Sequence, residues 1–277
     1  MVSAATIITV SITLFICLVL PVIVYLVYGI KNKGKGVWTA WLLGAAGFFV
    51  FQILLRSPIL SVLSMTSWFT AFATKHYVWY CLLLALTAAL FEAAGRYIAA
   101  KLMGKRLTYV RGLAAGLGHG SIEAMVIVGL TYINNLVYII MINTGSFDAV
   151  IEQTAALGVD TTQLLAVKES LVNANPGIFL LAGYERILTV ILHMALSMIV
   201  CYFVSQKKDI VGVGACVLIH GTVDFIVPLV NGMASEYLGN VISVSLAYLM
   251  IYTFLTAVAV LSVMVIRRIR LRWATAA

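Results

Sequence analysis

YVWYCLLLALTAALFEAAGRYIAAK, residues 77–101, is apolar over 25 positions, yet it carries a glutamate and an arginine, Glu92 and Arg96. About 20 predominantly apolar residues suffice to cross the roughly 30 Å hydrocarbon core of a bilayer, so this stretch reads as a membrane-spanning helix. A spacing of four sets both charges on one helix face, one turn apart. A charge at membrane depth costs at least about 2.5–3.5 kcal/mol on insertion scales, so such residues face a protein interior or a hydrated cavity. Three further apolar segments repeat the arrangement with His119 and Glu123, His193 and Ser197, and His220 and Asp224. A chain that bears this cost four times points to chemistry or ion handling inside the membrane.

Working outward, the whole composition agrees. The 277 residues are 63% hydrophobic and 10% charged, with a mean hydropathy of +1.08. Soluble domains carry about 25% charged residues, so this chain cannot cover a water-facing surface. The expected fold is all-α, a single polytopic transmembrane domain over residues 1–277. The net charge of +8 does not indicate nucleic acid. Thirteen of the 18 lysines and arginines fall in four short runs at helix ends, 31–35, 101–111, 207–208 and 267–272, where the positive-inside rule puts them. Cys17, Cys81, Cys201 and Cys216 lie in apolar runs without metal-ligand spacing and read as packing residues.

Seven spans are expected: about 4–29, 37–55, 77–102, 111–141, 177–205, 209–230 and 239–266. The first apolar run lacks a basic n-region and is expected to remain as a membrane helix. The basic runs place the N-terminus outside and the C-terminus in the cytoplasm, in a bacterial-type cytoplasmic membrane. The second helix is expected to leave the membrane near Arg56. Residues 57–75, broken by Pro58, read as an interfacial or re-entrant segment; a full span there would make eight. The sixth helix is expected to end near Pro228 and the seventh at the basic run RRIRLR, 267–272. The polar segment 143–176 should form two short amphipathic helices on the outer surface, capped at Ser146 and Thr161 and separated at Gly158. Phe147, Val150, Ile151, Leu164, Leu165 and Leu171 would face lipid or protein.

Depth ties the four pairs together. Glu92 is nine residues from Lys101 and His119 eight from Arg111. At about 1.5 Å per residue both sit roughly 12–14 Å from the cytoplasmic boundary. His220 and His193, twelve and fourteen residues from Lys208 and Lys207, sit roughly 18–21 Å in. Independent structural polar residues have no reason to agree in depth. Three histidines with carboxylates make a Zn²⁺ donor set drawn from His119, Glu123, His193, His220 and Asp224. Glu92 would then be the general base for water, and Arg96 would pair with a carboxylate or stabilise developing negative charge. A metal-free route also works, with Glu92 and one histidine activating water and another histidine holding the oxyanion. The structural alternatives are an ion pair for Glu92 and Arg96, and interhelical hydrogen bonds for single histidines, Asn134 and Asn135. Glu185 and Arg186 either join the His193 network or pair with neighbours. His76, beside Tyr77 and Trp79, reads as an aromatic-belt residue.

FEAAGRY at 91–97, GHGSIEA at 118–124, ERILTVILHMALS at 185–197 and IHGTVDF at 219–225 resemble the motifs of the YhfC-type membrane peptidases. That family lies in the wider superfamily of CAAX-processing endoproteases and bacteriocin-processing enzymes, with the PrsW-type proteases. The resemblance spans about residues 77–230. It implies that Glu92 is the catalytic glutamate, Arg96 its arginine, His119 the histidine of the second motif, and His193 and His220 the later ones. Asp224 stands where the CAAX enzymes often have Asn. Two features depart from the CAAX pattern: Phe91 precedes Glu92 in place of a second glutamate, and the second motif carries both His119 and Glu123. The superfamily also contains the non-catalytic scaffold subunit of γ-secretase, so the resemblance speaks more directly to fold than to activity.

Three functions follow as expectations. The first is an intramembrane endopeptidase, cleaving a membrane-embedded or membrane-associated peptide in the cytoplasmic half of the bilayer. The catalytic set would be Glu92, Arg96, His119, His193 and His220. The second is a non-catalytic scaffold or immunity-type partner whose polar network only fixes helix packing. The third is an ion- or proton-coupled transporter, which the absence of internal repeats and paired broken helices disfavours.

Overall fold

A computed structural model of the chain describes residues 1–275. The described residues hold helices and connecting turns, with no strand among them. Seven helices are long and apolar enough to cross a membrane. They are α1 (Ala4–Lys31), α2 (Val37–Ser64), α4 (Tyr77–Arg106), α5 (Tyr109–Thr144), α8 (Pro176–Ser205), α9 (Asp209–Met233) and α10 (Val244–Thr275). Three short α-helices lie between them: α3 (Ser67–Lys75), α6 (Ser146–Ala156) and α7 (Thr162–Asn173). In hydrocarbon only an intact helix satisfies its own backbone, which is why long apolar runs become uninterrupted helices.

Prolines mark the places where this persistence corrects the sequence reading. Helix α2 does not end near Arg56; it continues through Pro58 to Ser64. A π-helical stretch, Phe49–Arg56, precedes the proline, and the Ser57 amide bonds back to the Gln52 carbonyl, which also accepts from Ser57 Oγ at 2.8 Å. The wider turn absorbs the missing proline donor without breaking the helix. Residues 57–75 are therefore not one re-entrant segment. Their first half prolongs α2, and their second is the nine-residue α3, about 13 Å long and too short to span. Pro228 likewise sits inside α9, and the basic run 267–272 is helical within α10.

By internal packing the chain divides into two compact units. The first comprises Met1–Ile23 and Ala124–Ile187. Its core gathers Val10, Tyr132, Ile139, Phe147, Leu171 and Phe179. Asn143 exchanges hydrogen bonds with the backbone of Val2, and Thr13 Oγ1 donates to the Phe179 carbonyl at 2.6 Å. Helices α6 and α7 turn Phe147 and Leu171 into this core, while Leu165 is exposed. Their caps differ from expectation. Ser146 is already helical, behind Gly145 in the left-handed region. At α7 the capping is done by Asp160 rather than Thr161: its carboxylate accepts from the Thr162 amide and hydroxyl. Those two bonds hold the Asp160 carboxyl below its ordinary range. Arg186 pairs with its neighbour Glu185.

The second unit comprises Val24–Glu123 and the described residues from Leu188 onward. Its core runs from Val37 and Ala40 on α2 through Ala93 and Ala100 on α4 to Leu192, Leu196, Val223 and Leu255. Helices approach closely because the facing residues are small. Gly47 and Gly95 meet backbone to backbone: a Cβ on Gly95 would lie 2.4 Å from the Gly47 carbonyl oxygen. Small interfacial residues are the usual device for bringing membrane helices together. The four cysteines are buried thiols without disulfides.

Candidate functional site

All the paired residues named from the sequence lie in the second unit, on α4, α5, α8 and α9. Helix α4 presents Glu92 and Arg96 from a stripe of buried small residues that includes Ala88, Ala89, Ala93 and Gly95. Helix α5 is small almost all round over GLAAGLGHGS, 112–121, and is buried from Ala114 to Ser121. His119 can therefore be fully enclosed within a helix layer, and its exposure is 0%. Gly116 on α5 lets α8 come close: a Cβ there would lie 2.7 Å from Met194 Cα. That approach sets the His119 and His193 rings in a stack, with centroids 5.3 Å apart.

Glu92 Oε2 is the hub of the cluster. It accepts from Arg96 Nη2 at 3.1 Å and lies 3.0 Å from His119 Nε2. His193 Nδ1 and His220 Nε2 each stand 3.8 Å from the same oxygen. Arg96 Nη2 also donates to His193 Nδ1 at 2.5 Å. A guanidinium has no acceptor, so Nδ1 must accept and the His193 proton sits on Nε2. That nitrogen lies 2.7 Å from Glu123 Oε2. His220 Nε2 is 3.3 Å from Asp224 Oδ2. Asp224 is the least enclosed member, its side chain 32% exposed against 5% for Glu92. Ser197 is buried, and its hydroxyl has no hydrogen-bond partner.

Glu92, His119, Glu123 and His193 each offer one ligand atom, and these atoms all lie within 4.8 Å of one another. His220 and Asp224 lie beside this group rather than in it. Two imidazoles and two carboxylates are a normal donor set for zinc and related divalent ions. The residues present fit a divalent metal.

Three residues of α2 escaped the sequence reading. The Phe48 ring meets His119 edge-on, with centroids 5.2 Å apart. Gln52 is buried, and its Oε1 has no partner. Arg56 does not mark a helix exit; it reaches Thr87 Oγ1 at 3.1 Å and the Leu84 carbonyl at 2.8 Å on α4. The signal was present, since Gln52 and Arg56 repeat the spacing of four in an apolar run. Pro58, two residues on, masked it.

The chain is 32% identical over 211 residues to the "Uncharacterized membrane protein YhfC" of Bacillus subtilis (strain 168), covering 76% of this chain and 80% of that protein. No solved structure matches it. A family model described as YhfC intramembrane metalloprotease matches residues 16–246, a range that contains every member of the cluster. Seven apolar helices and this match make the chain an integral membrane protein, and by that match it belongs to the YhfC intramembrane metalloprotease family.

Proposed function

We propose that this protein is an intramembrane endopeptidase in which Glu92 activates water against a peptide bond, in the cytoplasmic half of a bacterial-type membrane. The observation that carries the reading is the convergence of Arg96, His119, His193 and His220 on one carboxylate oxygen, Glu92 Oε2. His119, Glu123 and His193 would hold a Zn²⁺ ion, leaving Glu92 as the base. When bound, such an ion supplies Lewis-acid polarisation of a carbonyl and lowers the pKa of water. The order of motifs supports membership of the CAAX-protease-like superfamily.

The protein's own groups then divide the work. Glu92 takes a proton from water as its oxygen attacks the carbonyl carbon, and returns that proton to the amine as the C–N bond breaks. Arg96 Nε and Nη1 are buried donors without partners, available to the carbonyl oxygen as it gains charge. Arg96 fixes the tautomer of His193 from the Nδ1 side, and Glu123 stands 2.7 Å from its Nε2 as the neighbouring carboxylate. Asp224 orients His220 toward Glu92. Small-residue packing around His119 excludes bulk water, which strengthens each of these interactions. The substrate class that matches this depth is a membrane-embedded or membrane-associated peptide.

Glu92→Gln keeps size and hydrogen bonding but removes the base. Cleavage of a membrane-protein substrate in proteoliposomes should fall by about 10²–10⁴-fold, with helix content unchanged. Metal analysis of the same preparations should find one zinc per chain in wild type, lost in His119→Ala and His193→Ala. Wild-type turnover by Glu92→Gln would remove Glu92 from the chemistry.

A further inference from the structure

On a different side of α8 and α9 from the glutamate cluster, α8, α9 and α10 enclose a cleft of about 770 Å³. Its walls are apolar: Leu196 and Ile199 from α8, Ile219 and Val223 from α9, Leu261 and Val265 from α10. The hydroxyls of Thr222 and Ser262 interrupt them, and Thr222 Oγ1 is already committed to the Leu218 carbonyl at 2.7 Å. Arg268 stands at one end. A second cavity of about 290 Å³ shares Ile199, Val265 and Arg268 with the first and adds Tyr202 and Arg272. Arg268 and Arg272 are one helical turn apart, exposed, and have no carboxylate partner among the described residues.

The chemistry of this space selects its occupant. A spanning helix, about 10–12 Å across and about 30 Å long, is far too large. An extended peptide would leave most of its N–H and C=O groups unsatisfied, at several kcal/mol per group, because between the helices only the Ser262 hydroxyl is uncommitted. A hydrocarbon chain has no such groups, and about 770 Å³ is within the range of sites that hold a small organic ligand. Arg268, which lines both cavities, and Arg272 and Tyr202, which line the second, match a phosphate: arginine binds it bidentately, and basic pockets between membrane helices hold anionic headgroups.

We infer that the cleft between α8, α9 and α10 binds an anionic phospholipid, its acyl chains against Leu196, Val223 and Leu261 and its phosphate on Arg268 and Arg272. Leu192 and Val223, also in the walls, are direct chain neighbours of His193 and Asp224. An occupied cleft therefore supports the backbone that carries those residues. The inference does not depend on peptide hydrolysis.

The test uses the purified full chain in mixed micelles doped with palmitoyl-oleoyl phosphatidylglycerol, palmitoyl-oleoyl phosphatidylcholine, or inorganic phosphate alone. Bound lipid is counted by native mass spectrometry and stability read from the thermal midpoint. One phosphatidylglycerol per chain should be retained and should raise the midpoint, while phosphatidylcholine and phosphate should not. Arg268→Gln with Arg272→Gln should weaken phosphatidylglycerol by about tenfold or more, whereas Arg267→Gln with Arg270→Gln should leave it unchanged. Leu261→Trp fills the cleft while keeping both arginines, and should also displace the lipid. Equal retention of the two lipids, equal losses from both arginine pairs, undiminished binding by Leu261→Trp, or full protection by phosphate alone would each overturn the site.

Discussion

Arg96 does more than neutralise Glu92. One nitrogen bonds both Glu92 Oε2 and His193 Nδ1, and two further nitrogens remain without partners in a residue 3% exposed. A lysine retains the charge but not the planar fork. Arg96→Lys should therefore lower kcat by about 10²–10³-fold while leaving the thermal midpoint near wild type. Arg96→Ala should lose folding stability as well, by about 3–5 kcal/mol, because it leaves a buried carboxylate unpaired. Parallel kinetics and thermal melts separate the two; a fully active Arg96→Lys would reduce the arginine to a counter-ion. At this scale the sequence was informative where two polar residues four apart interrupted an apolar run. It fails at Gln52 and Arg56, where the same spacing precedes a proline and reads as the end of a helix.

At the scale of elements, the close approach of α5 and α8 rests on Gly116. A methyl group there would press on Met194 Cα at 2.7 Å, a backbone atom that can move only with its helix. Gly116→Ala should cost about 1–3 kcal/mol and weaken zinc retention, since His119 and His193 lie on the two helices being forced apart. Gly214→Ala on α9 is the control: nothing lies within 4 Å of its Cβ, and stability should hold or rise slightly. Equal behaviour of the two variants in melts and metal analysis would mean that helix spacing does not set the cluster. The helices themselves were legible because an apolar run in lipid has no alternative to intramolecular hydrogen bonding. Their ends at Pro58 and Pro228 were not, because a proline removes only one donor. In α2 a π-helical turn redistributes the rest, and in α9 the helix simply continues to Met233.

For the whole molecule, the basic runs predict which side each connection faces. Lys33→Cys, between α1 and α2, should react with a membrane-impermeant maleimide only from the cytoplasmic side. Asp160→Cys, between α6 and α7, should react only from outside. Reversed labelling in intact cells would invert the orientation and move the cluster to the outer half. What the sequence determined was the class of fold, the seven long apolar helices, and the shared face of each polar pair. Helical periodicity and the cost of burying charge act on a single segment, so they can be read one segment at a time. Tertiary structure alone decided that Glu92 is the common neighbour of three histidines, that Arg96 bridges to His193, and that Asp224 stands at the edge. Those outcomes depend on which helices touch and how closely. That distance is set by glycine and alanine contacts between segments far apart in the chain, which no single segment specifies.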